Sequence, residues 1–258
     1  MIKKKLKIGL ITYRGNPSSG GQGIYINYLS RALSDLGHKV TVISGPPYPE
    51  IRKDIKLVKI PSLDLFSKKN KFFDVKFSKL LSLNNLKEWI SANTGGFPEP
   101  HTFGPRLKKF IEENADQFDV IHDNQTLCKE LISLEHKLPL VTTIHHPITK
   151  DLEFQLKSTN DFFLKLLIRR WHSFIPTQIE VAKKLKKIVV PSESSRNDVV
   201  KDFSLKEERI EVVRNGIDLS FFYPSEKPYE NYKILSVASS DVPMKGLDFM
   251  IKAFPKIK

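Results

Sequence analysis

Residues Lys7–Leu36, KIGLITYRGNPSSGGQGIYINYLSRALSDL, constrain this chain more than any other stretch. Lys7–Tyr13 is apolar and β-prone, and reads as a buried strand. Ile24, Tyr25, Tyr28, Leu29, Ala32, Leu33 and Leu36 then recur at helical spacing. Between them lie Gly15, Ser18, Ser19, Gly20, Gly21 and Gly23. Glycines let main chain approach a ligand closely, and a helix start offers unpaired N–H groups to an anion. Strand, glycine turn and helix together predict the first unit of a doubly wound α/β domain, whose ligands bind beyond the carboxyl ends of its strands.

The rest of the chain repeats that alternation. Strands are expected at Lys39–Ser44, Ile55–Ile60, Phe118–His122, Leu138–Ile144, Ile188–Val190 and Ile210–Val213. Helices are expected at Gly104–Ala115, Thr126–Leu134 and about 193–202, and Gly37 suits the cap of the first helix. Residues 62–103 mix phenylalanines with lysines and predict loosely packed helices, closed by a loop over Gly95–Pro100. Asp161–Lys187 is a basic amphipathic region, interrupted or kinked near Pro176. Its apolar side, with Phe163, Leu164, Leu167, Ile168, Trp171 and Ile175, reads as core-facing. The sharper alternative is contact with anionic lipid headgroups. Residues 219–231 read as a linker. Ile234–Ala238 and Gly246–Phe254 read as the strand and helix that open a second domain.

Composition narrows the partners. Forty-two Lys and Arg against 29 Asp and Glu give a formal charge of +13, which favours acidic partners. No stacking or groove-reading motif accompanies that charge, so nucleic acid is not expected. The single cysteine, Cys128, excludes an internal disulfide and a cysteine metal cage. The leader MIKKKLKIGLIT has too short an apolar run for a signal peptide and reads as the basic start of a strand, so a cytoplasmic location is expected. A nicotinamide-binding fold is disfavoured: the loop is GGQG, and no acidic residue ends the second strand to hold a ribose.

Four segments, in this order, resemble the retaining glycosyltransferases of family 4: KIGLITYRGNPSSGGQGIYINYLSRALSDLGHKVTVI, LPLVTTIHH, KKIVVPSESSRNDVV with IEVVRNGIDLSFFYP, and ILSVASSDVPMKGLDFMIKAF. The resemblance implies a GT-B fold, two Rossmann-like domains facing a cleft, and no bound metal or other cofactor. It makes residues 1–218 the acceptor-side domain, 219–231 the linker, and 232–258 the first unit of an incomplete donor-binding domain. The family's downstream E-x7-E segment is not in the sequence, so the chain is expected to be a fragment, inactive alone. The implied partners are a nucleotide-sugar donor and a glycan or lipid-linked acceptor, with peripheral contact at the inner face of an anionic membrane. A non-catalytic sugar- or membrane-binding module of the same fold is the alternative.

The resemblance also assigns residues. His145 corresponds to the family's histidine near the donor sugar and is the expected catalytic residue; His146 competes for that role. Gly20 and Gly21 correspond to the glycine pair near the donor phosphate, and Lys245 to the lysine on the donor diphosphate. Ser240 stands where the partner arginine is common. Tyr25, Ser192 and Asn215 are further acceptor or cleft candidates; Asp123 is one only by its place at a strand's carboxyl end, where plain turn residues also occur. Ser192 equally suits a helix N-cap, and Asn215-Gly216 with Asp218 a plain turn.

Overall fold

The computed structural model describes residues 4–17, 21–224, 234–236 and 246–256. The chain divides into two compact units, Met1–Asn215 and Gly216–Lys258.

In the first unit, seven strands form one sheet: β1 (Lys7–Thr12), β2 (Lys39–Ser44), β3 (Lys56–Lys59), β4 (Val120–Asn124), β5 (Leu140–Thr143), β6 (Ile188–Val190) and β7 (Ile210–Val212). Their order is β3-β2-β1-β4-β5-β6-β7, and every pairing is parallel. The α/β doubly wound expectation holds. β1 and β2 are each buried over their last five residues, because helices cover both faces of a parallel sheet. Alternation then sorts the side chains. Ile8 and Leu10 pack with Ile26 of helix α1 (Gly21–Asp35), while Ile11 and Ile43 pack with Leu107 and Ile111 of α4 (Glu99–Glu113) on the other face. Leu107 and Ile111 are fully buried, each contributing about 1.5–3 kcal/mol by leaving water.

Between β3 and β4 run α2 (Phe77–Leu80), α3 (Leu83–Asn93) and α4. After β4 come α5 (Glu130–Glu135) and, beyond β5, α6 (Thr149–Lys157), α7 (Phe162–Trp171) and α8 (Ile175–Lys184); α9 (Glu193–Phe203) joins β6 to β7. Gly37 has φ 86°, the left-handed helix stop its position suggested.

Several boundaries differ from the sequence reading. α4 begins at Glu99, not Gly104, because Pro100 lies in its first turn, where a proline loses no helical hydrogen bond. The expected helix at Thr126 starts only at Glu130: Gln125 and Leu127 hold positive φ, and the Asp123 carboxylate takes up the local N–H groups. α6 was not anticipated. Pro176 does not kink a helix but opens α8, and the break falls at His172–Phe174. α7 has no buried residue: of the side expected to face the core, Phe163, Leu164 and Leu167 are exposed, whereas Ile175, at the start of α8, joins the core.

In the second unit, α10 (Leu247–Ala253) takes up most of the expected helix. Ile234–Ser236 is irregular, not strand; residues 237 and 238 lie outside the described residues. Asp218 organises a turn: its Oδ1 accepts from Ser220 N at 3.0 Å and Ser220 Oγ at 2.6 Å.

Candidate functional site at the strand ends

The carboxyl ends of β1, β4 and β5 meet the start of α1, and the polar side chains there form one connected group. His145 stands two residues past β5. Both of its peptide groups are held: its N–H donates to Gln125 Oε1 at 2.8 Å, and its carbonyl accepts from Ser195 Oγ at 2.9 Å. Gln125 Nε2 in turn donates to the carbonyl of His146 at 2.8 Å. The imidazole packs edge-on against the Tyr25 ring, centroids 4.5 Å apart at 83°. Its Nε2 lies 2.7 Å from Asn124 Oδ1.

That contact fixes the tautomer. Asn124 Nδ2 points to the carbonyl of Gln22 at 3.5 Å, so Oδ1 faces His145 and Nε2 must carry the proton. Nδ1 is left with a lone pair, able to accept from a hydroxyl. Burial, with His146 adding, lowers the His145 pKa from 6.5 to about 4. The ring is therefore neutral at pH 7. His122 is similar, lowered to about 4 by burial, with Nε2 2.7 Å from Thr143 Oγ1. Thr143 Oγ1 also lies 3.4 Å from the Tyr25 hydroxyl.

The sign of the pH effect follows. A histidine with a depressed folded pKa binds more protons when unfolded, so its contribution is present above 6.5 and is lost as pH falls towards 4. The His145 ring proton signals are expected to titrate near pH 4 by NMR, and a midpoint near 6.5 would show an open, solvated ring. Relative to a His145→Asn variant, the parent chain should lose stability between pH 6.5 and 4. A constant difference in melting temperature across that window would count against the buried neutral ring.

The remaining candidates fall out unevenly. Tyr25 joins His145. His146 points away, exposed, with Nε2 3.2 Å from Asp151 Oδ2. Asp123 is a correction: it is fully buried beneath the group, and both carboxylate oxygens hold the turn at Thr126 and Leu127. Burial raises it to about 6. Ser192 is the N-cap of α9, accepting from Ser195 N at 3.1 Å, and so acts on His145 only through Ser195. Asn215 is exposed beyond β7, two strands from β5 in the sheet. Gly21 opens α1, and a Cβ built there meets nothing within 4 Å. Gly20 and Lys245, with Ser240, lie outside the described residues.

Sequence reasoning gave no role to Gln22, Asn124, Gln125, Thr143 or Ser195. The available signal was the run Asp123–Gln125 at a strand end, where polar residues serve ligands or hold turns with equal ease. Among the described residues, no three of His, Cys, Asp and Glu converge as a metal group.

An all-parallel sheet in this order, with its polar residues gathered at the strand ends, is a Rossmann-like α/β fold of the GT-B type. The chain belongs to Glycosyltransferase Family 4, whose family model matches residues 19–221. It is 38% identical over 255 residues to an MMP alpha-(1->4)-mannosyltransferase of Mycolicibacterium hassiacum, covering 98% of this chain and 62% of that protein. It is 24% identical to a phosphatidyl-myo-inositol mannosyltransferase of Mycolicibacterium smegmatis, covering 98% of this chain and 55% of that one. The chain thus spans somewhat more than half the length of these relatives. The catalytic domain of starch synthase IV from Arabidopsis thaliana, solved with ADP and acarbose, shares the fold with a TM-score of 0.53 at 13% identity, over 98% of this chain and 66% of that one.

Proposed function

We propose that this chain is the acceptor-side part of a retaining glycosyltransferase that moves a sugar from a nucleotide-sugar donor to a glycan or lipid-linked acceptor. The observation that carries the reading is the double clamp on the His145 backbone, which fixes a neutral imidazole at a strand end with Nδ1 available. In this role Nδ1 accepts a hydrogen bond from a hydroxyl of the donor sugar and fixes the ring for transfer. The α1 start, with Gly20 and Gly21, receives negative charge on the leaving diphosphate through backbone N–H groups. For Lys245, outside the described residues, the resemblance alone supports a role as a cation for a phosphate group. No step is assigned to a metal. The name of the relative at 38% identity makes mannose the first donor sugar to try and a manno-oligosaccharide the first acceptor.

The test is transfer by the complete gene product from a panel of nucleotide sugars including GDP-mannose, with the product anomer read by NMR. Transfer with retention is expected. A folded protein that transfers nothing from the panel sinks the reading, and an inverted product sinks its stereochemistry. Gly21→Ala gives a sharper check. Alanine fits the open space at this first residue of α1, so stability should hold while nucleotide-sugar binding weakens. Unchanged donor KM in that variant would remove Gly21 from the donor site.

One observation favours a second property, peripheral contact with an anionic membrane from the cytoplasmic side. Phe162, Phe163, Leu166 and Leu167 of α7 stand exposed beside Lys165, Arg169 and Arg170. No helix among the described residues is long and apolar enough to cross a membrane. Vesicles containing phosphatidylglycerol should sediment the protein, and Phe162→Ser with Phe163→Ser should release it. Equal sedimentation of parent and variant would rule out α7 as the contact.

A further inference from the structure

Arg14 follows β1 by two residues, where the glycine turn begins. Its guanidinium carbon lies 5.9 Å from the Phe97 ring centroid, within cation–π range. Its Nη1 is 3.6 Å from Glu99 Oε2, an ion pair too long to be a hydrogen bond. Glu99 Oε2 is sealed from solvent yet has no hydrogen-bond partner among the described residues. Such an orphaned buried oxygen is uncommon and asks for a reason. The side chains differ in access: Glu99 is 10% exposed and Arg14 29%. Burial pushes Glu99 up to about 8; Arg14 opposes that shift, and the charges of Glu88 and Asp64 add to it.

Aromatic rings complete the surroundings. Phe97 is stacked on Trp171, centroids 5.0 Å apart at 27°, and meets Tyr13 edge-on at 5.9 Å. Trp171 also meets Phe66 edge-on at 5.5 Å, and it keeps 37% of its surface exposed while Phe97 is buried. The cluster connects to the strand-end group. The Tyr13 hydroxyl accepts from Gln22 Nε2 at 3.4 Å, and the Gln22 carbonyl faces Asn124, which holds His145.

A part-exposed indole and a guanidinium that both pack on Phe97, with a buried carboxyl group next to the guanidinium, suit one class of ligand. Sugar rings present C–H faces to an aromatic plane and hydroxyls that both donate and accept. A simple structural ion pair would need neither the indole nor the orphaned oxygen.

We infer that Arg14, Trp171 and Glu99 form a subsite for a neutral sugar unit of the acceptor. Arg14 donates to a hydroxyl, Trp171 lies against the ring, and Glu99 is a positioning residue whose Oε2 stands 3.6 Å from the Arg14 fork. The word acceptor rests on the transferase reading; the sugar subsite does not.

The experiment is therefore binding without donor or turnover. An α-(1→4)-linked manno-oligosaccharide is titrated into the whole chain while the Trp171 indole N–H signal is followed by NMR. A saturable shift is expected. Read by titration calorimetry, Arg14→Gln should weaken binding about tenfold at unchanged melting temperature, and Trp171→Ala, which removes the indole signal itself, should weaken it as far. Glu99→Gln should weaken it less and add nothing on top of Arg14→Gln, since it acts through that residue. If Arg14→Gln does not fold, Trp171→Ala, at a part-exposed position, carries the test. Three outcomes overturn the inference: no saturable shift in the parent, full binding by both Arg14→Gln and Trp171→Ala, or a response to mannose 6-phosphate with none to neutral sugar. A chain that binds sugar through Arg14 yet transfers nothing as the complete gene product keeps the subsite and loses the transferase reading. Active transfer with unaltered acceptor KM in both variants does the reverse.

Discussion

Replacing His145 with alanine is expected to lower kcat for sugar transfer by about 100-fold or more, the usual cost of removing a fixed polar group from the reacting centre. The His145 peptide is tied at both ends, to Gln125 and Ser195, and its ring is held by Asn124 and packed on Tyr25. Such preorganisation means the ring need not be ordered when a donor arrives. The main-chain ties do not depend on the imidazole, so the variant should keep its fold and lose mainly the ring contacts. Acceptor KM should change little, because the ring is assigned to the donor sugar. Asn124→Ala is the companion: it frees the tautomer without removing the ring, and should cost less. Steady-state kinetics of the complete gene product, with a melt of each variant, checks both. Activity in His145→Ala within about threefold of the parent would take the imidazole out of the chemistry.

Gly23→Ala should be the most damaging single methyl group at the site. A Cβ at Gly23 would lie 2.2 Å from the carbonyl oxygen of Asn16 and 2.4 Å from that of Gly15. Both contacts are to backbone, which cannot swing aside as a side chain can. Either the loop lifts off the helix or α1 starts late. Overpacking of this kind costs about 1–3 kcal/mol, or roughly 3–10 °C in melting temperature for a chain of this size. The contrast with Gly21 is the diagnostic, since the same substitution two residues earlier meets open space. Thermal melts of the two variants should therefore separate, Gly23→Ala falling and Gly21→Ala holding. If both melt with the parent, the loop is not seated on the helix start in the way described.

Much of this was readable along the chain. Lys39–Ser44 and Ile188–Val190 were placed to the residue, because parallel strands buried on both faces give apolar runs that need no tertiary context. The Gly37 helix stop and the Ser192 cap are local chemistry and were equally legible. Where reading failed, the deciding contact came from elsewhere. The helix expected at Thr126 was displaced by the buried Asp123 carboxylate, while the interruption expected near Pro176 falls at His172–Phe174, with the proline opening α8. Asp123 looked like a cleft residue because strand ends hold both ligand contacts and turn supports; only burial separates the two.

The sequence by itself determined the alternation of strand and helix, the glycine turn and the histidine at the end of β5, since these follow from periodicity and residue chemistry. The tertiary structure decided which polar groups meet. Gln22, Asn124 and the segment Thr143–His145 are far apart in the chain and become neighbours only because the strand order puts β4 between β1 and β5. It also decided that His145 is neutral and that Arg14 stands against Glu99 and Phe97, because burial and distance are properties of packing, which no single stretch of sequence encodes.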